Sequence, residues 1–338
     1  MGKRLGKQTV KLQNPPSILS TASIVGPKEG QGPLRLYFDE IIEEEMWGEK
    51  SWEKAESKLM RETFSKIVNK SRKSLSEVNY VIAGDLLNQC ISANFGLRES
   101  GVPFFGVFGA CSTMAESMSL GAMLIDGGFA DNAVCMTSSH FCSAEKQFRF
   151  PLELGSQRPP TAQWTVTGSG GVMLSGQGTG PYITHVTTGK IVDMGIKDAN
   201  NMGAAMAPAA ADTILSHFND TGFSPQEYDL IVTGDLGRLG KSICDELLRN
   251  QDIDISDRYN DCGVMIFDSR QQDVHMGGSG CGCSATVLAG FIYTEMKKGM
   301  LNNVLFVATG ALLSPTSTQQ GESIPSIAHA VSIRRMMG

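Results

Sequence analysis

At 338 residues the chain is long enough for one large α/β unit or for two domains. Its 41% hydrophobic and 19% charged content is that of an ordinary folded globule and excludes a disordered chain. A net charge of −6 excludes the broad basic field with which a sequence-independent nucleic-acid binder neutralises phosphates, so no nucleic acid is expected as a partner.

The chain opens on Lys3, Arg4, Lys7 and Lys11 with no acidic residue among them. A solvated arm is expected there, the alternative being attraction to an anionic membrane surface. No apolar stretch of signal-peptide type follows, and no run approaches the roughly 18 apolar residues of a membrane span, so retention in a cytoplasm-like compartment is expected. The eight cysteines are scattered and lack paired CxxC spacing, which points to reduced, mostly buried thiols. Cys281 and Cys283 are the close pair, with no further Cys or His nearby at a spacing that would complete a tetrahedral metal set.

Residues 51–68, SWEKAESKLMRETFSKIV, place Trp52, Ala55, Leu59, Phe64, Ile67 and Val68 at approximately helical intervals. EVNYVIAGDLLNQ at 77–89 is a polar lead-in, an apolar strand and then Gly84-Asp85-Leu86. PFFGVFGA at 103–110 predicts a buried strand, and residues 112–125, STMAESMSLGAMLI, a helix apolar on nearly every face. Cys111 falls at the junction. A sharp strand-to-helix turn exposes one side chain at a helix N-terminus, where unpaired N–H groups and the helix dipole favour a thiolate or a bound anion.

The pattern then returns. APAAADTILSHF at 207–218 predicts a second helix, with Pro208 in its first turn. PQEYDLIVTGDLGRL at 225–239 repeats the strand followed by Gly-Asp-Leu, with Asp235 standing for Asp85, and GMLNNVLFVATG at 299–310 repeats GFADNAVCMTSS at 128–139. A longer connection around 249–276 accounts for the unequal offsets. Order is preserved, so the chain reads as a tandem copy, an N-terminal half over 1–180 and a C-terminal half over 181–338. Strands alternating with helices predict one helix-covered, largely parallel sheet per half. Ligands in such sheets collect beyond the carboxyl ends of strands, where Asp85 and Asp235 stand.

The elbow FGACSTMAESMSLGAMLIDGGFADNAV, the strand TVTGSGGVMLS at 165–175 and the closing VLFVATGALLSP resemble the thiolase and β-ketoacyl synthase superfamily. More narrowly, GDLLNQ, FGACSTMAES, SSHFCSAEKQFRFPLE, MAPAAADTI, NDCGVMI, GGSGCGCSA and VATGALLSPTSTQQGESIPSIAHAV resemble the stage V sporulation protein AD family, over essentially the whole chain. The resemblance implies a thiolase-like fold of two pseudo-symmetric α/β halves with central helices between the sheets. It also implies a protein of endospore formers that binds dipicolinic acid for uptake into the developing spore, with a link to its release at germination. Its partners would be membrane proteins of the SpoVA channel system at the spore inner membrane, and a homodimer is a further expectation.

A condensing enzyme of the superfamily needs, besides a cysteine, His or Asn groups to orient the acyl carbonyl and move protons. This chain has Asp235 where the first of these is expected, and a carboxylate there repels a developing oxyanion. His275 in HMGGSGCGCSA is the candidate for the second. The expected reading is therefore a binder without a catalytic set and without a required cofactor; the alternative is an acyl-CoA or acyl-carrier condensing enzyme with Cys111 as nucleophile. The expected ligand site combines Cys111 with Asn88 and Ser169 as polar neighbours. Asp85 and Asp235 would hold a Ca²⁺ carried with dipicolinate, or else cap neighbouring loops.

Overall fold

The computed structural model describes residues 3–148 and 158–337. Residues 149–153, the end of the SSHFCSAEKQFRFPLE string, lie outside them. The first part of the chain runs β1 (Thr9–Lys11), β2 (Ser17–Val25), β3 (Glu40–Ile41), α1 (Trp52–Ser71), β4 (Tyr80–Gly84), α2 (Ile91–Leu97) and β5 (Phe104–Gly106). It continues through α3 (Thr113–Asp126), β6 (Asn132–Ser139), α4 (Phe141–Phe148), β7 (Trp164–Thr165) and β8 (Gly168–Ser175). The second part runs β9 (Tyr182–Thr187), α5 (Met202–Thr221), β10 (Leu230–Thr233), α6 (Gly237–Arg249), β11 (Tyr259–Asp261), α7 (Cys262–Ile266), β12 (Gly278–Ser279) and α8 (Cys281–Val287). After α8 come α9 (Tyr293–Lys298), β13 (Asn303–Ala311), α10 (Pro315–Gln319) and β14 (Ser326–Arg334).

The strand order is β5-β4-β6-β8-β2 followed by β9-β14-β13-β10-β11, the same order reflected about its middle. Pairing directions repeat as well. β4 is parallel to β5 and β6, and β10 to β11 and β13, while β6 to β8 to β2 and β13 to β14 to β9 are antiparallel. The two groups of strands meet through one pair, Ser17 opposite Tyr182. Helices α1 and α2 cover the outer face of the first group, and α5 and α6 that of the second; α3 lies between, against β6, β4 and β8 on one side and β14 and β13 on the other. α8 shares this middle layer, packing on β8 and β6.

Local chemistry explains these elements. Ser51 caps α1 by accepting from the Lys54 amide, and Asn201 caps α5 through the Ala204 amide. α3 is buried around most of its circumference, as its apolar sequence predicts. The glycines of β8 let the middle layer close onto the sheet: a Cβ on Gly170 would stand 2.5 Å from the Ala285 carbonyl carbon of α8.

Three sequence expectations need correction. The 103–110 strand is only Phe104–Gly106, at the end of the sheet with Phe105 49% exposed, because β5 has a neighbour on one side alone. Pro208 lies inside α5, not in its first turn, since the helix already starts at Met202. The basic arm is docked rather than solvated: β1 pairs with β9, the Asp220 carboxylate accepts from the amides of Lys7, Gln8 and Thr9, and Lys3 forms a 2.8 Å ion pair with Asp126. No helix among the described residues is long and apolar enough to cross a membrane.

Candidate functional site

The Cys111 elbow is a turn of 3-10 helix, Ala110–Ser112, leading into α3. Ala110 adopts φ +52°, a left-handed conformation uncommon for a residue with a Cβ. The turn is fastened by the Ser112 amide and hydroxyl, both donating to the Gly109 carbonyl, and by Thr113 Oγ1, which donates to the Ala110 carbonyl at 2.6 Å. Its outer surface rests on the end of β13: a Cβ on Gly310 would fall 2.3 Å from the Gly109 oxygen and 3.3 Å from the Cys111 nitrogen. Helix geometry gives the amides at the start of this turn no intrahelical acceptor.

Cys111 lines a narrow, solvent-connected cleft of about 620 Å³, open space included. Leu86, Phe108, Ala144 and Phe148 from the first half and Ala199, Met202, Ala311 and Leu313 from the second form apolar walls, with Glu145, Thr165 and Ser279 as polar members. Leu86, Cys111, Ala144 and Cys281 form one buried contact group, joined by Phe148.

Beneath Cys111 stands Asp235, fully buried. Its Oδ1 accepts from Thr309 Oγ1 at 2.7 Å, and its Oδ2 from the Gly280 amide at 2.9 Å and Ser279 Oγ at 3.3 Å. The Cys111 thiol lies close enough to feel the same carboxylate. Burial pushes Asp235 up to about 6, against the hydrogen bonds from Thr309, Cys111 and Gly280. Burial first, then the Asp235 charge and the neighbouring Cys281, hold the Cys111 thiol well above its ordinary value. It is a neutral thiol near pH 7, unlike a nucleophilic thiolate.

The other expected site residues are dispersed. Asp85 is fully buried at the end of β4, where Oδ1 accepts from the Leu87 amide at 2.8 Å and Oδ2 from the Ala93 amide at 2.7 Å. It ties the turn after β4 to the start of α2, outside the cleft. Asn88 is exposed in a separate shallow depression with Glu53, Lys146 and Gln147, its amide donating to Gln147 Oε1. Ser169 lies inside the sheet, its hydroxyl donating to the Thr137 carbonyl at 3.2 Å. Of the five, the structure brings together Cys111 and Asp235.

The acidic pair does not fit a shared calcium ion. Both carboxylates are enclosed, every oxygen already accepts from a protein donor, and no group of three or more His, Cys, Asp or Glu suited to a metal occurs among the described residues. Cys281 Sγ donates to the Ser138 carbonyl at 2.9 Å, and all eight cysteines are free thiols. His275 sits at φ +49° with Nε2 3.5 Å from Asp273, away from the residues that line the cleft. His140, buried at the start of α4, has Nε2 2.9 Å from the Glu45 carbonyl and is lowered by burial.

Sequence reading missed Glu56 of α1. It is buried beside Asp85, accepts from Ser138 Oγ at 3.0 Å and Ser143 Oγ at 2.7 Å, and is raised by burial and by the Asp85 charge. A signal existed, since 52, 56, 59, 63 and 67 form one helical stripe and four of these five residues are not charged.

A doubled β-sheet arrangement around a central helix pair, with a cysteine elbow at its core, defines the thiolase fold. Solved structures agree at low sequence identity. Cerulenin-bound OleA of Xanthomonas campestris matches with TM-score 0.58 and 13% identity, covering 95% of this chain and 100% of that one. The Bacillus anthracis acetyl-CoA acetyltransferase gives 0.58 at 10% identity, covering 94% and 98%, and Aquifex aeolicus 3-oxoacyl-[acyl-carrier-protein] synthase III gives 0.55 at 12%, covering 94% and 99%. Within this fold the chain belongs to the stage V sporulation protein AD family, whose profile matches residues 6–334. It is 46% identical to stage V sporulation protein AD of Bacillus subtilis (strain 168) over 336 residues, 99% of each chain.

Proposed function

We propose that this is a sporulation protein that binds dipicolinic acid in the cleft at Cys111 and carries no acyl-transfer activity. The observation that bears most weight is the Cys111–Asp235 contact. A condensing enzyme needs a thiolate there and donors for a developing oxyanion, whereas this site pairs a neutral thiol with a buried carboxylate. What the elbow retains is a preformed helix start whose free amides suit a carboxylate at little entropic cost. In this reading one carboxylate of the ligand meets the Ala110 and Cys111 amides at the start of the turn, the pyridine ring lies between the apolar walls, and the second carboxylate faces the mouth. Calcium accompanies the ligand as its counter-ion and is not held by Asp85. The family supports a role in sporulation; in this reading that role is moving dipicolinate into the developing spore and out at germination, together with membrane proteins of the SpoVA channel system at the spore inner membrane.

Calorimetric titration with dipicolinate, with and without calcium, tests the reading. Saturable one-site binding that a bulky residue at 111 abolishes is expected. No binding under either condition, or catalytic turnover of a coenzyme A thioester through Cys111, would overturn it.

A further inference from the structure

Asp235 stands behind the cleft wall where an incoming carboxylate has to lodge. Its Oδ2 is 3.3 Å from the hydroxyl of Ser279, a member of the wall. Its Oδ1 is 2.7 Å from the hydroxyl of Thr309, the residue before Gly310, on which a Cβ would fall 3.3 Å from the Cys111 nitrogen. The carboxylate is thus one residue away from the ligand's place on two sides, and is itself fully buried.

The surroundings offer a dianion little positive charge. Among the described residues the cleft lining contains no Lys, Arg or His, and Glu145 on α4 is its acidic member. Facing Asp235 are the thiols of Cys111 on the elbow, Cys262 on α7, and Cys281 and Cys283 on α8. Burial holds all four well above their ordinary value, so they are neutral near pH 7. The Asp261 carboxylate at the end of β11 faces it too, but is enclosed by Thr233 Oγ1 and the Leu236, Gly237 and Val264 amides. Asp235, raised by burial to about 6, is mostly charged near pH 7 yet within reach of a proton. A dianion lodged beside it in an apolar cleft disfavours that charge further.

We propose, on the reading that dipicolinate enters the Cys111 cleft, that Asp235 takes up a proton from solvent as the ligand binds, so that pH controls how tightly the ligand is held. The ligand keeps both negative charges, and the proton goes to the Asp235 carboxylate. Its partners permit this, because the Thr309 and Ser279 hydroxyls can turn from donating to a carboxylate to accepting from a carboxyl O–H. Linkage fixes the sign. Below about pH 6 the free protein already holds the proton and affinity is flat. Above it each pH unit weakens binding by up to about tenfold, until the carboxyl ionises in the complex as well.

The test is calorimetric titration of the unaltered chain with dipicolinate, without calcium, at pH 6, 7 and 8, each in two buffers of different ionisation enthalpy. The difference in heat between buffers at pH 7 should correspond to uptake of about one proton per ligand, and Kd should rise at least about tenfold from pH 6 to pH 8. Asp235→Asn should abolish the uptake, flatten Kd over this range and bind more tightly than the unaltered chain at pH 8. Thr309→Val removes a donor that favours the charged form, so the pH at which Kd begins to rise should move upward. A Kd independent of pH, or heats that do not differ between buffers, overturns the proposal while the dipicolinate reading stands. So does a break in Kd that Thr309→Val leaves in place. Uptake that persists in Asp235→Asn puts the proton on the ligand or on Glu145 and overturns it as well. No binding at any pH defeats the reading and the proposal together.

Discussion

Glu29 should make the protein lose stability as pH rises. The side chain is fully buried; Oε1 accepts from the Thr167 amide at 3.1 Å, and Oε2 has no partner. Burial raises it from 4.5 to about 8, helped by the Glu45 charge and opposed by hydrogen bonds from its own amide and that of Thr167. A folded-state value above the unfolded one means that the folded chain binds the proton more tightly. The contribution is therefore complete below about pH 4.5 and is lost progressively as pH rises through 8. At about 1.4 kcal/mol per pKa unit the full loss is on the order of 5 kcal/mol, a large share of the stability of an ordinary domain. Glu29→Gln keeps an acceptor for Thr167 but cannot ionise. Urea unfolding at pH 5, 6, 7 and 8 should show a midpoint that declines steeply with pH in the unaltered chain and less steeply in the variant, the curves diverging most at pH 8. Parallel curves would refute the placement of an ionisable, unpaired oxygen in the core.

Cys111→Ser should hold dipicolinate within about threefold, because the amides of the turn and not the sulfur meet the ligand, whereas Cys111→Trp should weaken it by at least about thirtyfold through overpacking; calorimetry reads both. Asp235→Asn removes the charge that suppresses the Cys111 thiolate, so iodoacetamide labelling of Cys111 at pH 8, followed by mass spectrometry, should accelerate. Asp85→Ala should cost about 1–3 kcal/mol in urea unfolding by orphaning the Leu87 and Ala93 amides, yet leave the effect of calcium on dipicolinate binding unchanged. Gly310→Ala should displace the elbow, costing about 1–3 kcal/mol and weakening the ligand, which a combined melt and titration would detect.

Much of the architecture was legible because it is written twice. The two strand-Gly-Asp runs fall on β4 and β10, which hold equivalent places in the strand order, and the apolar run after Cys111 is the buried α3. Local pattern failed where exposure depends on a distant neighbour. Phe104, Phe105 and Phe108 read as a core strand, but β5 ends the sheet, and Phe108 serves as a cleft wall. Asn88 and Ser169 sit in strings that identify the family, and a string cannot say which way a side chain turns. Cleft residues Ala199, Met202 and Leu313 come from loops and helix ends with no chemical signature, so nothing short of the tertiary structure would collect them.

The same Gly-Asp signature ends in two different jobs, and the residue that closes the neighbouring edge strand supplies the reason. In the first half Asp85 itself turns back to accept from the Leu87 and Ala93 amides and is consumed as a local cap. In the second half β11, the counterpart of β5, ends in Asp261, whose Oδ2 accepts from the Leu236 amide at 2.8 Å and whose Oδ1 accepts from the Gly237 amide at 2.9 Å. With those amides satisfied, Asp235 is released from capping and turns towards Thr309, Gly280 and the Cys111 thiol. A carboxylate in that position suppresses the thiolate on which condensing chemistry depends. The carboxylate that closes β11, where β5 closes on Gly106, thus determines which of two equivalent aspartates reaches the cleft, and with it whether the elbow is equipped to react or to bind.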